Sequence, residues 1–225
     1  MIKLHFHPSP NPMKVLLMLE ETGLDYQIVP VDTLKGEQHD PAFVSIAPNA
    51  KVPVIEDGQK VVFDSNAILL HLAEETDRFA PTSGPERAEL LSWLFFVATG
   101  MSPFSGQAMH FLHMAPEDIP YAKNRYLKEV VRHYDVMNER LSKSEWLGGD
   151  AYSIADMAAW GWLNMSHYLF GEAGLSDWPY LERMHGLISE RPAAVRALAI
   201  KNEFNFKQDF DEEAARALFP QNYSV

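Results

Sequence analysis

Between Val52 and Leu69 the chain specifies a strand, a turn, a second strand and a helix start in close succession. Val52-Pro53 opens a run to Ile55, Asp57-Gly58 is a strong hairpin signal, and Lys60 to Phe63 returns as the partner strand. Asp64-Ser65-Asn66 then leads directly into the apolar run Ala67-Ile68-Leu69. A helix beginning there presents free backbone N–H groups and the positive end of its dipole, which suits a small anion. The proline strand beside it offers backbone to a peptide-like ligand.

The residues before this stretch extend the pattern. Ile2 to Phe6 reads as a strand, and a helix runs from Pro12 with Val15, Leu16 and Leu19 to a left-handed cap at Thr22-Gly23. Tyr26 to Val31 reads as a second strand, residues 32–40 as a polar loop, and Pro41 to Ile46 as one or two helical turns. With the hairpin and a helix from Ser65 to Thr76, the order is β-α-β-α-β-β-α. Strands separated by helices pair in parallel and the hairpin adds antiparallel strands, so the sheet is mixed and four-stranded, the thioredoxin-like arrangement.

Phe79-Ala80-Pro81-Thr82-Ser83-Gly84-Pro85 reads as a linker. The domains are therefore expected at residues 1–78 (α/β) and 87–225 (all-α), joined by 79–86. The second part carries almost no strand signal. Leu127, Val130, Val131, Tyr134, Met137 and Leu141 form a helical stripe, with Arg125, Lys128 and Arg132 on the opposite face. Ser153-Ile154-Ala155-Asp156 reads as a capping box opening a helix that includes Trp160 and Trp162. Trp93, Phe95, Phe96, Phe104 and Phe111 are expected to divide between core and the wall of an apolar pocket, with Met101 to Met114 as a loop.

Composition excludes several classes of function. The chain has no cysteine, so it can have neither a disulfide staple nor a cysteine nucleophile of its own. Thiol chemistry would need sulfur brought by a ligand. A net charge of −12 opposes general nucleic-acid binding. The longest apolar stretch, residues 90–100, falls short of the roughly 20 residues that span a bilayer, and the start lacks the pattern of a secretion signal. No membrane association and a cytoplasmic location are expected. His5 with His7, and His110 with His113, share faces but lack a third ligand, so no metal site is expected.

Taken in order, the thioredoxin-like half, Val52-Pro53, the Asp64-to-Leu69 run and the Ser153-x-x-Asp156 helix start resemble the cytosolic glutathione transferase superfamily. Pro8-Ser9-Pro10-Asn11, Gly36-Glu37-Gln38, Ser45-Ile46-Ala47-Pro48-Asn49 and Trp146-Leu147-Gly148-Gly149 are most similar to the bacterial Nu-class enzymes, the disulfide-bond reductase type, and their fungal nitrogen-regulator-like relatives. Those relatives usually carry threonine at the position of Ser9 and commonly glycine at that of Asn66.

The resemblance implies a glutathione-dependent enzyme, and a chain without cysteine fits a mechanism in which glutathione supplies both sulfurs. Ser9 and Asn11 would donate to the glutathione thiolate, whereas the residues alone favour a turn and a cap. Val52 and Pro53 would form a cis-proline step facing the cysteinyl backbone. Asp64 and Ser65 would hold the γ-glutamyl end, and Gln38 and Lys51 the glycyl end. Arg125 would reach across a homodimer to the neighbour's ligand, or else be an ordinary solvated charge. Glutathione or its disulfide is then the partner, as a co-substrate, with no tightly bound cofactor. Reaction on a disulfide or another electrophile is the expected activity. The alternative is a non-catalytic, glutathione-binding regulatory protein of the same fold, for which the aromatic tail from Asn202 to Val225 would be the interaction segment. That tail is otherwise expected to pack over the mouth of the site.

Overall fold

The computed structural model describes residues 1–200 and 203–223, so Asn202, Ser224 and Val225 of the predicted tail lie outside the described residues. The first half is a four-stranded sheet, β1 (Ile2–Phe6), β2 (Tyr26–Pro30), β3 (Val54–Asp57) and β4 (Lys60–Phe63), in the order β2-β1-β3-β4. β1 runs parallel to β2 and antiparallel to β3, and β3 is antiparallel to β4, giving the expected mixed sheet. Asp57 pairs with Lys60, leaving Gly58-Gln59 as the hairpin loop, and Gly58 takes the positive φ (61°) such a loop needs.

The helices of this half are α1 (Pro10–Thr22), α2 (Pro41–Ile46) and α3 (Ser65–Thr76). α1 starts two residues earlier than its sequence pattern suggests, because Ser9 is the N-cap and Pro10 serves as the first helical residue. It stops where Gly23, at φ 70°, returns its N–H to the Leu19 carbonyl. Residues Pro12 to Leu19 are all buried, Lys14 among them. A helix buried on every side must be covered by more than its own sheet, and α1 is enclosed by α3 and by two helices of the second half.

That second half contains α4 (Gly84–Phe96), α5 (Ser102–Met109), α6 (Pro120–Leu141), α7 (Ile154–Leu163), α8 (Ser166–Phe170), α9 (Pro179–Ser189), α10 (Pro192–Ile200) and α11 (Glu212–Leu218). α4 begins inside the stretch read as linker. Met101 to Met114 is helical rather than a loop: π-helical turns at Val97–Met101 and His110–Met114 flank α5. The first of these turns lies just ahead of Pro103, whose missing N–H interrupts the regular ladder there. Gly100 and Gly106 are packing residues. A Cβ on Gly100 would lie 2.3 Å from His133 Nε2, and one on Gly106 3.3 Å from the Trp162 ring.

The capping box of α7 is present. Asp156 accepts from the Ser153 N–H at 2.9 Å, the Ser153 hydroxyl at 2.7 Å and the Leu147 N–H at 2.7 Å. It thereby ties α7 to the Trp146-Leu147-Gly148-Gly149 segment. The whole of α7 is buried, and its Gly161 lies against the start of α1, where a Cβ would come within 2.4 Å of the Pro10 carbonyl oxygen. The two halves therefore meet closely at the residues that open α1.

Candidate functional site

Ser9 and Asn11 flank Pro10 at the start of α1, within the positive end of its dipole. The Ser9 hydroxyl makes no capping bond. The Asn11 carboxamide is held more firmly. Its Oδ1 accepts from Trp162 Nε1 at 3.1 Å and from the Ser65 hydroxyl at 3.5 Å, while its Nδ2 has no protein partner among the described residues. The start of α1 thus offers an amide donor and a hydroxyl, and Ser65 links it to the start of α3.

At the start of α3, Asp64 adopts φ 72°, and its Oδ1 accepts from the Asn66 and Ala67 N–H groups at 2.9 and 3.1 Å. One carboxylate oxygen therefore caps the helix and the other remains available to an ammonium group, so cap and ligand site can coexist. Val52-Pro53 is a cis peptide. β3 begins at Val54 rather than Val52, so the Val52 backbone lies outside the ladder and meets no protein partner among the described residues.

The remaining candidates stand apart from this cluster. Lys51 is exposed, with no ion pair among the described residues. Arg125 is half-exposed on α6 and pairs with Glu129 at 2.5 Å. Gln38 is buried under the tail, donating from Nε2 to the Ala217 carbonyl at 3.0 Å, with its Oε1 unpartnered. The histidines engage separately: His5 with Glu56 at 3.0 Å, His7 with the Thr33 N–H at 3.4 Å, and His113 with the Tyr168 carbonyl at 2.7 Å. Among the described residues no three potential metal-binding side chains converge.

The tail does return over the first half. Phe206 packs on Phe6 and His7, and the Lys207 N–H donates to Asp32 at 2.8 Å. Phe204 and Gln208 join Ser9, Met13, Asn164 and His167 in lining a cavity of ≈ 610 Å³. The wall opposite Ser9 is built by the segment around α7 and α8 and by the tail, not by residues 101–114; Phe104 instead packs against Tyr126 and His133. Among the described residues, this lining holds no lysine, arginine or carboxylate side chain.

Lys14, one turn beyond Asn11, is fully buried with Nζ unpartnered. Burial pulls its pKa down to about 7, opposed by the charge of Asp64. Neither Lys14 nor Trp162 carries a local sequence signal: one looks like a surface lysine in a helix, the other like a core aromatic.

Sheet order, the cis-proline and the joined starts of α1 and α3 define the class: the chain belongs to the glutathione S-transferase family. Residues 1–74 match the family's N-terminal domain and residues 120–197 its C-terminal domain. Among curated proteins, the disulfide-bond oxidoreductase YfcG of Escherichia coli (strain K12) is 45% identical over 205 residues, covering 88% of this chain and 94% of that protein. Among solved structures, a glutathione transferase family member from Pseudomonas fluorescens pf-5 with two glutathione bound has a TM-score of 0.83 at 33% identity, covering 88% of this chain and 92% of that one. A glutathione transferase from Pseudomonas putida, with one glutathione disulfide bound per subunit, has a TM-score of 0.83 at 31% identity, covering 88% and 91%. No helix among the described residues is long and apolar enough to cross a membrane.

Proposed function

We propose that the protein is a glutathione-dependent disulfide-bond reductase in which the glutathione sulfur lies against Ser9 and Asn11. The observation that carries this is the Asn11 carboxamide at the start of α1: its oxygen is engaged by two donors, its N–H groups have no protein partner among the described residues, and Ser9, two residues earlier, lines the cavity. Neither residue is a general base. They lower the thiol pKa by stabilising the anion, helped by the helix field. Val52 would pair with the cysteinyl backbone beside Pro53, Asp64 and Ser65 would hold the γ-glutamyl end, and Lys51 the glycyl end. Gln38 would join them by exchanging the Ala217 carbonyl for the ligand. Residues 1–78 would thus bind glutathione, and 87–225, beyond the 79–86 linker, would wall the second-substrate cavity.

The bound thiolate attacks one sulfur of a disulfide, forming a mixed disulfide with glutathione and releasing the other sulfur as a thiolate. A second glutathione then attacks the mixed disulfide, giving glutathione disulfide and the second thiol. No protein cysteine is needed, and none is present. Turnover of glutathione with a small mixed disulfide is expected to exceed that with an aromatic halide. Glutathione binding without turnover of either would favour the non-catalytic alternative, and turnover of the halide alone would rule out disulfide reduction.

We further propose a homodimer. Phe63 on β4 is 47% exposed and Phe95 on α4 is 55% exposed, large apolar surfaces that a second copy would cover. Arg125 would then reach the neighbour's ligand. Sedimentation should show a dimer for the parent and a monomer for Phe95→Asp; a monomeric parent at micromolar concentration would refute this assembly.

A further inference from the structure

We propose that Trp162 is a positioning residue, whose indole decides which end of the Asn11 carboxamide faces the glutathione sulfur. The assignment rests on Asn11 donating to the thiolate, as proposed above. A carboxamide is nearly symmetric in shape but opposite in chemistry at its two ends: the nitrogen donates and the oxygen accepts. Only the nitrogen can stabilise a thiolate; turned over, the oxygen would repel it.

Two neighbours touch the Asn11 oxygen, and they are not equivalent. The Ser65 hydroxyl, at 3.5 Å, could donate to an oxygen or accept from a nitrogen, so it tolerates both orientations. The Trp162 Nε1–H, at 3.1 Å, can only donate. With the amide reversed, two donors would face each other in a largely buried setting, leaving both unsatisfied. Among the described residues, Trp162 alone therefore discriminates between the two orientations.

The indole is itself well held. Trp162 is 9% exposed, with its ring against Gly106 of α5, where a Cβ would lie 3.3 Å away. Its neighbour Gly161 lets α7 approach the start of α1 closely enough for the contact, since any Cβ there would collide with the Pro10 carbonyl. A buried helix of the second half thus sets the donor geometry of the first.

The test is a double-mutant cycle with Trp162→Phe and Asn11→Ala, in which the ultraviolet thiolate absorbance of bound glutathione is followed against pH. Trp162→Phe keeps an aromatic ring and removes the N–H. It is expected to raise the bound thiol's pKa by about one unit, lowering kcat about tenfold below that pKa, with glutathione affinity changed by less than about twofold. On the Asn11→Ala background it should add no further shift, because its effect passes through the amide. Site-specific replacement of Trp162 by benzothienylalanine, which keeps the bicyclic shape and lacks the N–H, should give the same shift and guards against a packing defect in the phenylalanine variant. An unchanged pKa in both Trp162 variants, with a raised pKa in Asn11→Ala, would overturn the positioning role and leave Asn11 as the donor. An equal Trp162→Phe shift on both backgrounds would also overturn it. An unshifted pKa in Asn11→Ala would remove the donor reading itself, and the positioning role with it.

Discussion

Asn11→Ala is expected to lower kcat/KM for disulfide reduction about a hundredfold, the usual cost of losing one preorganised donor to a developing or resident anion. Two features of α1 could stabilise a thiolate, and their magnitudes differ. The dipole of an exposed helix end contributes roughly 0.3–1 kcal/mol, whereas a hydrogen bond to a charged group contributes about 1.5–3 kcal/mol. The donor should dominate, so removing it should show mainly in kcat and in the thiol pKa, while the helix field persists. Glutathione affinity should change little, because the γ-glutamyl end would still be held at the proposed site of Asp64 and Ser65. Steady-state kinetics at several glutathione concentrations separate the two. A rise in KM at constant kcat would mean that Asn11 merely binds the peptide.

The second large effect concerns stability. Asp156→Ala removes the acceptor of two buried backbone N–H groups and one buried hydroxyl. Leaving such donors unsatisfied costs on the order of 3–5 kcal/mol, which for a chain of this size lowers Tm by roughly 10 °C. The loss should vary with pH. Burial pushes the Asp156 carboxyl up to about 6, against the pull of its three donors. In the unfolded chain it returns to a value near 3.9, so the folded state binds the proton more tightly. Its contribution is complete below pH ~4 and diminishes as pH rises to about 6. The Tm gap between parent and Asp156→Ala should therefore narrow across that window. A gap that stays constant from pH 4 to 7 would mean that the carboxylate is ionised throughout. Because Asp156 anchors the helix carrying Gly161 and Trp162, the variant should also weaken the start of α1.

The strands, the hairpin and the α7 capping box were legible because each depends on neighbours only a few residues away. The misread segment, Met101 to Met114, shows where such reading ends. Gly100, Pro103 and Gly106 are helix breakers in isolation, yet His133 and Trp162 require the space that the glycines leave, and packing outweighs a propensity cost of about 1 kcal/mol per glycine. Gln38 was legible as a candidate, but its present partner, Ala217, lies 179 residues away.

By itself the sequence determined the order of elements, the absence of any protein thiol and the residue types at the start of α1, since these follow from local periodicity, turn chemistry and composition. Only the tertiary structure decided that Lys14 is buried, that the tail covers Gln38 and that the Asn11 amide oxygen meets the Trp162 indole. Asn11 and Trp162 are 151 residues apart. A donor's direction depends on the atoms around it, and those atoms meet only when α7 is packed against α1.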